Sequence, residues 1–259
     1  QPSKQDDMDA SILLKACKAR GDLPQHLAII MDGNRRYATS QGKPSTFGHL
    51  QGKKRLEQVI QWVMVELGIP HLTVYALSLD NLRKRSSAEL AYLTELMAIG
   101  LEELAGHPTL RAKRIQVKVA GCLDDLPVRL QEAAARVEQS SAPSLGDQPG
   151  GVLTVCVGYS GRSEILHACK TLAADIAHGR IDEEAVTEAA LEARLYTAGA
   201  PSPDLVIRTS GEARISNFML WQLAYSELVF VGATWPEFGA QVLAGALDEF
   251  ARRSRRFGS

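Results

Sequence analysis

Apolar residues along this chain occur in two kinds of pattern, short continuous runs and longer stretches with helical spacing. The short runs predict six buried strands, at residues 27–31, 72–78, 115–120, 152–158, 204–208 and 227–231. The helical pattern between them predicts helices at 8–20, 53–67, 86–104, 127–139, 163–178, 182–197 and 238–256. Because strands and helices alternate throughout, we expect an α/β fold with a central, mostly parallel six-stranded sheet surrounded by helices.

Local signals mark several ends of these elements. Gly68 is a fitting helix stop, and Ser86 with Glu89 has the spacing of a capping box. The segment 140–151, rich in Ser, Gly and Pro, is a surface loop that is too short to be a firm domain boundary. For the stretch 8–20, the favoured interpretation is a helix packed on the body of the protein. The alternative is a helix that touches membrane or covers a site.

Composition limits the class of protein. The chain has 259 residues, 45% of them hydrophobic, and a net charge of -1, which argues against a nucleic-acid protein driven by bulk charge. No run of about 18 apolar residues is present, so no transmembrane helix is expected. None of the four cysteines forms a CxxC pair, so free thiols in a reducing compartment are expected at Cys17, Cys122, Cys156 and Cys169. The sequence begins at Gln1 rather than Met, which leaves a targeting segment open.

The segment 31–37, MDGNRRY, carries the first candidate chemistry. It follows the first predicted strand, and the carboxyl edge of a parallel sheet is the usual place for a ligand. Gly33 lets the backbone approach a phosphate, and Arg35 and Arg36 can stabilise its charge. Asp32 cannot stabilise an anion directly, which suggests a bridging cation such as Mg²⁺. An equally open alternative is an Asp-Gly turn with solvated arginines.

A second cluster, in the segment 204–217, repeats this arrangement. A predicted strand ends in Arg208, a Ser-Gly turn follows, and Arg214 and Ser216 come next. Two arginines and a hydroxyl at this spacing can converge on one diphosphate. Taken alone, the better interpretation is a polar loop with a surface ion pair between Glu212 and Arg214.

Three further segments place charge beside apolar residues. Glu227 lies in a strongly apolar run, and a buried carboxylate without a partner is costly, so we expect a cation, an arginine or a metal beside it. The segment 76–85 offers more cations at the end of the second predicted strand. The basic tail 252–258 is typical of a helix carboxyl terminus matched to the helix dipole.

The chain resembles the cis-prenyltransferases in several motifs, which occur in that family's order: HLAIIMDGNRRYA, YALSLDNLRKR, VGYSGRSEI, PDLVIRTSGEARISNFMLWQLAYSELVF and RRFG. This is the family of the undecaprenyl diphosphate synthases and the eukaryotic dehydrodolichyl diphosphate synthases, and the DGNRRYA and RTSGE variants are more similar to eukaryotic members. The resemblance runs from about residue 23 to residue 258. The implied organisation is an N-terminal extension at 1–22 and a catalytic domain at 23–259 that includes the basic tail.

The resemblance implies Mg²⁺-dependent condensation of isopentenyl diphosphate onto an allylic diphosphate, with farnesyl diphosphate as the expected primer. Mg²⁺ and arginines would stabilise the leaving diphosphate, and the isopentenyl double bond would attack the carbocation-like centre and then lose a proton. The expected product is a long-chain cis-polyprenyl diphosphate, a dolichol or polyprenol precursor, held in a hydrophobic tunnel. The resemblance further implies a homodimer in the cytoplasm, with no nucleic-acid partner and with peripheral contact to the endoplasmic reticulum membrane.

The resemblance also assigns roles to matching positions. Catalytic roles fall on Asp32, Asn34, His49, Ser78 and Asn81. Allylic diphosphate binding falls on Gly33, Asn34, Arg35, Arg36 and Lys84. Isopentenyl diphosphate binding falls on Arg208, Arg214, Ser216, Arg256 and Gly258, of which the last two belong to a tail that reaches the partner subunit's site. Metal binding falls on Asp32 and on Glu227, a carboxylate at the dimer interface.

Two positions depart from the family's pattern, and both belong to allylic diphosphate binding. Ser45 stands where the family usually has an arginine, four residues before His49, and Lys84 stands in place of another, with Arg85 next. A lysine keeps the charge but loses the bidentate fork of a guanidinium. The choice of allylic primer is therefore open.

Other functions fit the sequence less well. A trans-type prenyl synthase needs DDxxD-type carboxylate pairs, and neither Asp6-Asp7 nor Asp124-Asp125 forms that motif. A nucleotide-binding protein lacks support, because neither GxxxxGK[ST] nor GxGxxG after a strand is present. Two alternatives inside the family stay open: a short-chain cis-prenyl diphosphate synthase, and a catalytically weak partner subunit. The presence of Asp32 argues against the second.

Overall fold

Six strands form one entirely parallel sheet in the computed structural model, which describes residues 4–144 and 146–253. The strands are β1 (His26–Ile30), β2 (His71–Ser78), β3 (Ile115–Ala120), β4 (Gly151–Tyr159), β5 (Leu205–Arg208) and β6 (Glu227–Phe230), in the order β3-β4-β2-β1-β5-β6. β1, β4 and β5 are buried along their whole length, which explains their continuous apolar runs. All six predicted strands are confirmed, and so is the α/β fold.

Helices connect the strands and cover the sheet. In the described residues they are α1 (Lys4–Arg20), α2 (Asn34–Ser40), α3 (Ser45–Ile60), α4 (Leu79–Lys84), α5 (Ser87–Gly106), α6 (Pro108–Ala112), α7 (Val128–Ser141), α8 (Gly161–Ala177), α9 (Glu188–Glu192) and α10 (Ala240–Arg252). A π-helical segment, Gln61–Leu67, continues α3. Side chains are buried on both faces of the sheet, since Leu27 and Ile29 belong to the larger core and Ala28 and Ile30 to the smaller one.

Most predicted helices are present, with ends that the sequence did not reveal. α3 begins at Ser45, earlier than predicted, because glycines let it approach the start of α2: a Cβ at Gly48 would lie 2.0 Å from the carbonyl oxygen of Asn34. Ser86 caps α5 as predicted and accepts a hydrogen bond from the amide of Glu89 (3.3 Å). The carboxylate of Glu89 contacts other side chains instead of completing a capping box.

The helix predicted at 182–197 is wrong. Only the 3-10 turn Glu183–Ala185 and the short α9 are helical there. The amide and the hydroxyl of Thr197 bind the buried carboxylate of Glu164 at 3.1 and 3.0 Å. This tertiary contact turns the chain inward where the apolar spacing alone favoured a continuing helix.

The N-terminal helix α1 packs against α10 and the π-helical segment. Leu14 and Cys17 are buried in this contact, and Lys18 donates a hydrogen bond to the carbonyl oxygen of Glu66 (3.0 Å). The packing agrees with the interpretation of the stretch 8–20 as a helix on the body of the protein. The division of the chain at residue 22 stays a prediction.

Two predictions from composition concern the cysteines and the membrane. The four cysteines are free, as predicted, and two of them, Cys17 and Cys156, are buried. Across residues 4–144 and 146–253, no helix combines the length and the apolar character that crossing a bilayer requires.

Candidate active site

The carboxyl ends of three adjacent strands bring predicted site residues to one edge of the sheet. Asp32 follows β1, Ser78 ends β2 and Arg208 ends β5, with β1 in the middle. These residues line one cavity of about 1800 Å³. A typical small-molecule site has roughly 300–1,000 Å³, so this cavity has room for more than one small ligand.

Asp32 is fixed through both its backbone and its carboxylate. Its amide donates to the hydroxyl of Thr209 (2.8 Å), and its carbonyl oxygen accepts from the amide of Trp235 (2.9 Å). Its Oδ2 atom lies 2.8 Å from Nη2 of Arg208 and 3.3 Å from Nη2 of Arg36. Among the hydrogen bonds and ion pairs of the described residues, none involves Oδ1, so one carboxylate oxygen is left for a ligand.

Arg208 is a buried cation at the cavity. Only 4% of the residue is exposed, and its Nη1 donates to the hydroxyl of Ser216 (2.7 Å) and to the carbonyl oxygen of Arg214. Its Nε is buried without a hydrogen-bond partner, which is costly for a donor of a charged group.

The loop that carries Arg214 and Ser216 has an unusual backbone. Ser216 (φ 49°) and Asn217 (φ 63°) are non-glycine residues in the left-handed region, which is unfavourable unless the surroundings hold them there. The Oδ1 of Asn217 accepts from the amide of Arg162 (3.0 Å), and its Nδ2 donates to the hydroxyl of Ser160 (2.9 Å). The loop is therefore anchored to the start of α8.

A second group of charges lies on the more exposed side of the site. Arg36 donates to the carbonyl oxygen of Ser210 (3.0 Å) and to Glu212 (3.1 Å). Glu212 also pairs with Arg214, and the hydrogen bond from Arg214 lowers the pKa of the Glu212 carboxyl. The surface ion pair of the alternative interpretation is thus present, beside the contact between Arg208 and Ser216.

Asn34 lies at the start of α2, in a pocket that glycines make possible. Gly33 has φ of 102°, and a Cβ at this position would lie 2.7 Å from the hydroxyl oxygen of Ser210. The Oδ1 of Asn34 is buried without a hydrogen-bond partner, and a Cβ at Gly52 would lie 2.4 Å from it. The Asn34 side chain is therefore closely confined beside the cavity that the residue lines.

His49 and Glu89 lie beside this pocket. Nε2 of His49 is 3.3 Å from Oε1 of Glu89, which also pairs with Arg85 and lies 3.9 Å from Nε of Arg35. Burial lowers the pKa of His49 and outweighs the opposite effect of the hydrogen bond with Glu89. The imidazole is therefore neutral at neutral pH.

In the segment after β2, the residues that line the cavity differ in part from those that the resemblance assigns. Ser78 caps α4 by accepting a hydrogen bond from the amide of Asn81 (3.0 Å), and both residues line the cavity. Lys84 is exposed at the end of α4 and is not among the lining residues, whereas Arg85 is. Adjacent residues of a helical turn point about 100° apart, so Lys84 and Arg85 face different sides of α4. A role for Lys84 in the allylic site stays a prediction.

Glu227 lies where the strands begin, whereas Asp32 lies where they end. It begins β6, level with Leu27 through β5, so roughly 16 Å of strand separates the two residues along the sheet. One chain alone therefore cannot bring both to one metal ion. Glu227 pairs with Arg253 (2.8 Å), which confirms the expected cation beside it. Arg256 and Gly258 lie outside the described residues.

Away from the polar edge, the same cavity is lined mainly by apolar side chains of α3, α5 and β4. They include Leu56, Ile60, Leu93, Met97, Leu101 and Val155. A ligand with an anionic head at the strand ends and an apolar chain between the helices fits this division. A continuous product tunnel stays a prediction.

Sequence reasoning missed several residues at the cavity. Arg85 was noted only as the neighbour of Lys84, and Ser160 and Arg162 lie in the segment VGYSGRSEI without an assigned role. That segment's Ser-Gly-Arg at a strand end was the available signal. Glu89 was noted only as a capping residue.

Comparison with known proteins agrees with this arrangement. A family model described as "Putative undecaprenyl diphosphate synthase" matches residues 30–258. A tritrans,polycis-undecaprenyl-diphosphate synthase (geranylgeranyl-diphosphate specific) of Pyrococcus abyssi is 42% identical over 252 residues, which are 97% of this chain and 93% of that protein. An isoprenyl transferase of Deinococcus radiodurans is 41% identical over 250 residues, 95% of this chain and 89% of that protein.

A solved structure is similar as well. It is lavandulyl diphosphate synthase from Lavandula x intermedia in complex with dimethylallyl diphosphate, with a TM-score of 0.82 and 34% identity over 92% of this chain and 99% of that one. The family match covers the residues that build the cavity, from β1 to beyond α10. The protein is a prenyl-transferring enzyme, and its chain belongs to the undecaprenyl diphosphate synthase family of cis-prenyltransferases.

Proposed function

We propose that this enzyme condenses isopentenyl diphosphate with an allylic diphosphate in an Mg²⁺-dependent reaction and builds a long-chain cis-polyprenyl diphosphate. The observation that carries the proposal is the division of one large cavity into a cationic end and an apolar end. Two diphosphates need many fixed donors, and a growing prenyl chain needs an apolar surface. The role of the product as a dolichol or polyprenol precursor belongs to the same proposal.

Arg208, Arg214 and Ser216 are the proposed binding group for isopentenyl diphosphate. The position of Arg208 supports this role, because it lines the cavity and its guanidinium contacts both Ser216 and Asp32 there. The loop of Ser216 is held in its strained conformation by contacts to α8, so the donors are fixed before a ligand arrives. Fixed donors stabilise charge without reorganisation.

The allylic diphosphate is proposed to bind beside Gly33, Asn34, Arg35 and Arg36, with Arg85 in the place first assigned to Lys84. The charge that develops on the leaving diphosphate when the allylic C–O bond breaks would be stabilised by these guanidinium groups. Asn34 and His49 are proposed to lie near the reacting ends, and Ser78 and Asn81 beside the same site.

The residues present fit Mg²⁺. Mg²⁺ is usually held by one or two carboxylates together with substrate phosphates, and Asp32 offers one carboxylate oxygen at the cavity. No group of three or more metal-ligating side chains exists in the described part of the chain, which suits an ion that arrives with a diphosphate. When bound, Mg²⁺ would neutralise charge on the leaving diphosphate. Asp32 would hold it, and Arg208 and Arg36 would keep Asp32 oriented.

The name of one relative bears on the choice of allylic primer. The Pyrococcus abyssi relative is named as specific for geranylgeranyl diphosphate. We therefore propose geranylgeranyl diphosphate as a primer beside farnesyl diphosphate. Ser45, where the family usually has an arginine, begins α3 outside the lining of the cavity and adds no charge to the site.

A homodimer is proposed because a second copy could bring its Glu227 and its tail, with Arg256 and Gly258, to this site. The edge strand β6 and the segment before it expose apolar side chains, including Tyr225 and Phe230. An exposed strand edge of this kind favours pairing with another chain. Peripheral contact with membrane is proposed from the apolar product.

The test is incubation of the purified protein with radiolabelled isopentenyl diphosphate, Mg²⁺ and one primer at a time: dimethylallyl, geranyl, farnesyl or geranylgeranyl diphosphate. Chromatography of the dephosphorylated products should give a ladder of long polyprenols. A single short product would select the short-chain alternative. No incorporation with any primer would overturn the proposal and favour a partner-dependent subunit.

A further inference from the structure

Three charged side chains stand in the wall between α3 and α5. Lys53 on α3 pairs with Glu57 one turn further along (2.8 Å) and with Glu103 on α5, and all three line the cavity. Of the hydrogen bonds and ion pairs that join α3 to α5 in the described residues, the contact between Lys53 and Glu103 lies furthest along both helices. These three residues are called the Lys53 clasp below.

The clasp has an inner and an outer side. The Lys53 side chain is only 18% exposed, whereas those of Glu57 and Glu103 are 48% and 54% exposed. The methylene stem of Lys53 therefore lies in the wall, and the carboxylates reach solvent. Burial lowers the pKa of Lys53, but its hydrogen bonds to Glu103 and Glu57 outweigh burial and raise the pKa overall, so the ammonium stays charged.

The residues around Lys53 leave room for its side chain to reach from α3 to α5. A Cβ at Gly100 on α5 would meet Cε of Lys53 at 3.5 Å, so any residue larger than alanine there would push against the stem. Lys53 follows Gly52, which packs against Asn34 at the polar end of the cavity. The clasp therefore begins where the cationic end of the cavity gives way to the apolar end.

We propose that the Lys53 clasp closes the outer wall of the chain-holding part of the cavity and determines how far a prenyl chain grows before release. The inference rests on the function proposed above. A chain that passes the intact clasp meets methylene groups, whereas a broken clasp presents hydrated carboxylates. Water bound to these carboxylates makes the burial of each added isoprene unit less favourable. An enzyme with a broken clasp should therefore release shorter products.

The first test is a charge swap with product length as the readout. Lys53→Glu should shift the most abundant polyprenol shorter by one or more isoprene units, and the double variant Lys53→Glu/Glu103→Lys should return it toward the wild-type length. A third variant is Glu103→Gln, and its matched control is Glu102→Gln. Glu102 is the neighbour of Glu103 on α5, but it pairs with Arg129 and Arg136 and does not line the cavity.

Glu103→Gln should shift product length in the same direction as Lys53→Glu, and Glu102→Gln should not. An unchanged length in Lys53→Glu, or an equal shift in Glu102→Gln, would overturn the proposal. Circular dichroism and thermal unfolding establish that each variant is folded. The charge swap keeps the test decisive, because its recovery cannot come from a general loss of stability.

A second measurement does not require turnover. Titration calorimetry without isopentenyl diphosphate compares the affinities for geranylgeranyl and dimethylallyl diphosphate in wild type and Lys53→Glu. The variant should lose roughly two- to fivefold more affinity for the longer ligand, the size expected for one ion pair. Equal losses of affinity for both ligands would contradict the proposed role of the clasp. Wild-type protein that binds both ligands but never incorporates isopentenyl diphosphate would refute the proposed function and leave this comparison valid.

Discussion

Nη2 of Arg208 lies 2.8 Å from Oδ2 of Asp32, although the two residues are 176 positions apart in the sequence. The guanidinium is almost fully buried, and the carboxylate side chain is 31% exposed. Arg208 belongs to the proposed isopentenyl diphosphate site and Asp32 to the proposed allylic and metal site. The two sites therefore share a wall, and a charge change at one of these residues should affect both substrates.

Removal of the Asp32 carboxylate should abolish most of the activity. Asp32→Asn keeps the size of the side chain but removes the charge that would hold Mg²⁺ and that pairs with Arg208. We expect kcat to fall by about 10²- to 10³-fold, the loss typical of one group that stabilises developing charge. Steady-state assays over a range of Mg²⁺ concentrations measure it.

The control for this change is Asp124→Asn, at an exposed aspartate in a 3-10 turn outside the cavity lining. It should keep full activity. Turnover by a folded Asp32→Asn protein at the wild-type rate would show that the metal assignment is wrong.

Arg85 rather than Lys84 should affect the allylic substrate. Arg85 lines the cavity and pairs with Glu89, whereas Lys84 is exposed outside it. Arg85→Gln should raise the KM for the allylic diphosphate by about tenfold or more, as expected for a charge-assisted hydrogen bond of about 1.5–3 kcal/mol. Lys84→Gln should leave this KM unchanged. The reverse result would favour Lys84 as the cation that binds the allylic diphosphate.

These neighbouring residues show where the sequence stops being informative. Short apolar runs made all six strands predictable, most clearly the fully buried β1, β4 and β5, and Asp32 and Arg208 were predictable as strand-end residues. Which of two adjacent cations faces a cavity depends on how α4 packs against β2 and β4, and no local pattern gives that orientation.

Other failures have tertiary causes. The helix predicted at 182–197 is interrupted at Thr187, whose hydroxyl caps the start of α9. At its far end Thr197 binds Glu164, a contact between residues whose proximity no local pattern reveals. Glu227 was correctly expected to have a cation beside it, but its place at the edge opposite Asp32 follows from strand direction and register. Arg253 was not identified as that partner, because the pairing depends on how α10 packs against β6.

Stability should fall as the pH drops from about 6.5 to about 4. Burial lowers the pKa of His26 from its ordinary 6.5 to about 4. The neutral ring is held by the carbonyl oxygen of Pro201 (2.6 Å from Nδ1) and the hydroxyl of Thr73 (2.8 Å from Nε2). In this pH window the unfolded chain binds a proton that the folded protein does not, so the folded state is disfavoured by up to about 3 kcal/mol.

Denaturant titrations of wild type and His26→Gln at several pH values measure this effect. The variant should be less stable at pH 7 but should lose less further stability on acidification. Burial also lowers the pKa values of His49 and His71, so part of the pH dependence should remain. An equally steep dependence in His26→Gln would contradict the assignment.

The close approach of Gly52 to Asn34 gives a prediction about both stability and activity. A Cβ at Gly52 would lie 2.4 Å from Oδ1 of Asn34 and 3.0 Å from Cδ1 of Trp235, so Gly52→Ala must displace one of these side chains. Overpacking of this kind costs about 1–3 kcal/mol. We expect kcat to fall as well, because the displaced Asn34 would lose its position at the cavity.

Gly245→Ala is the matched control, since Gly245 lies inside α10 with no atom within 4 Å of a new Cβ. It should stabilise the protein by about 0.5–1 kcal/mol, the gain of alanine over glycine in a helix.

Asn34→Ala removes the side chain that Gly52→Ala would strike, so the double variant should be more stable than the sum of the two single changes predicts. Thermal unfolding of all four proteins measures this coupling. Simple additivity would show that the Asn34 side chain does not carry the strain, and that Gly52 is instead required by Trp235.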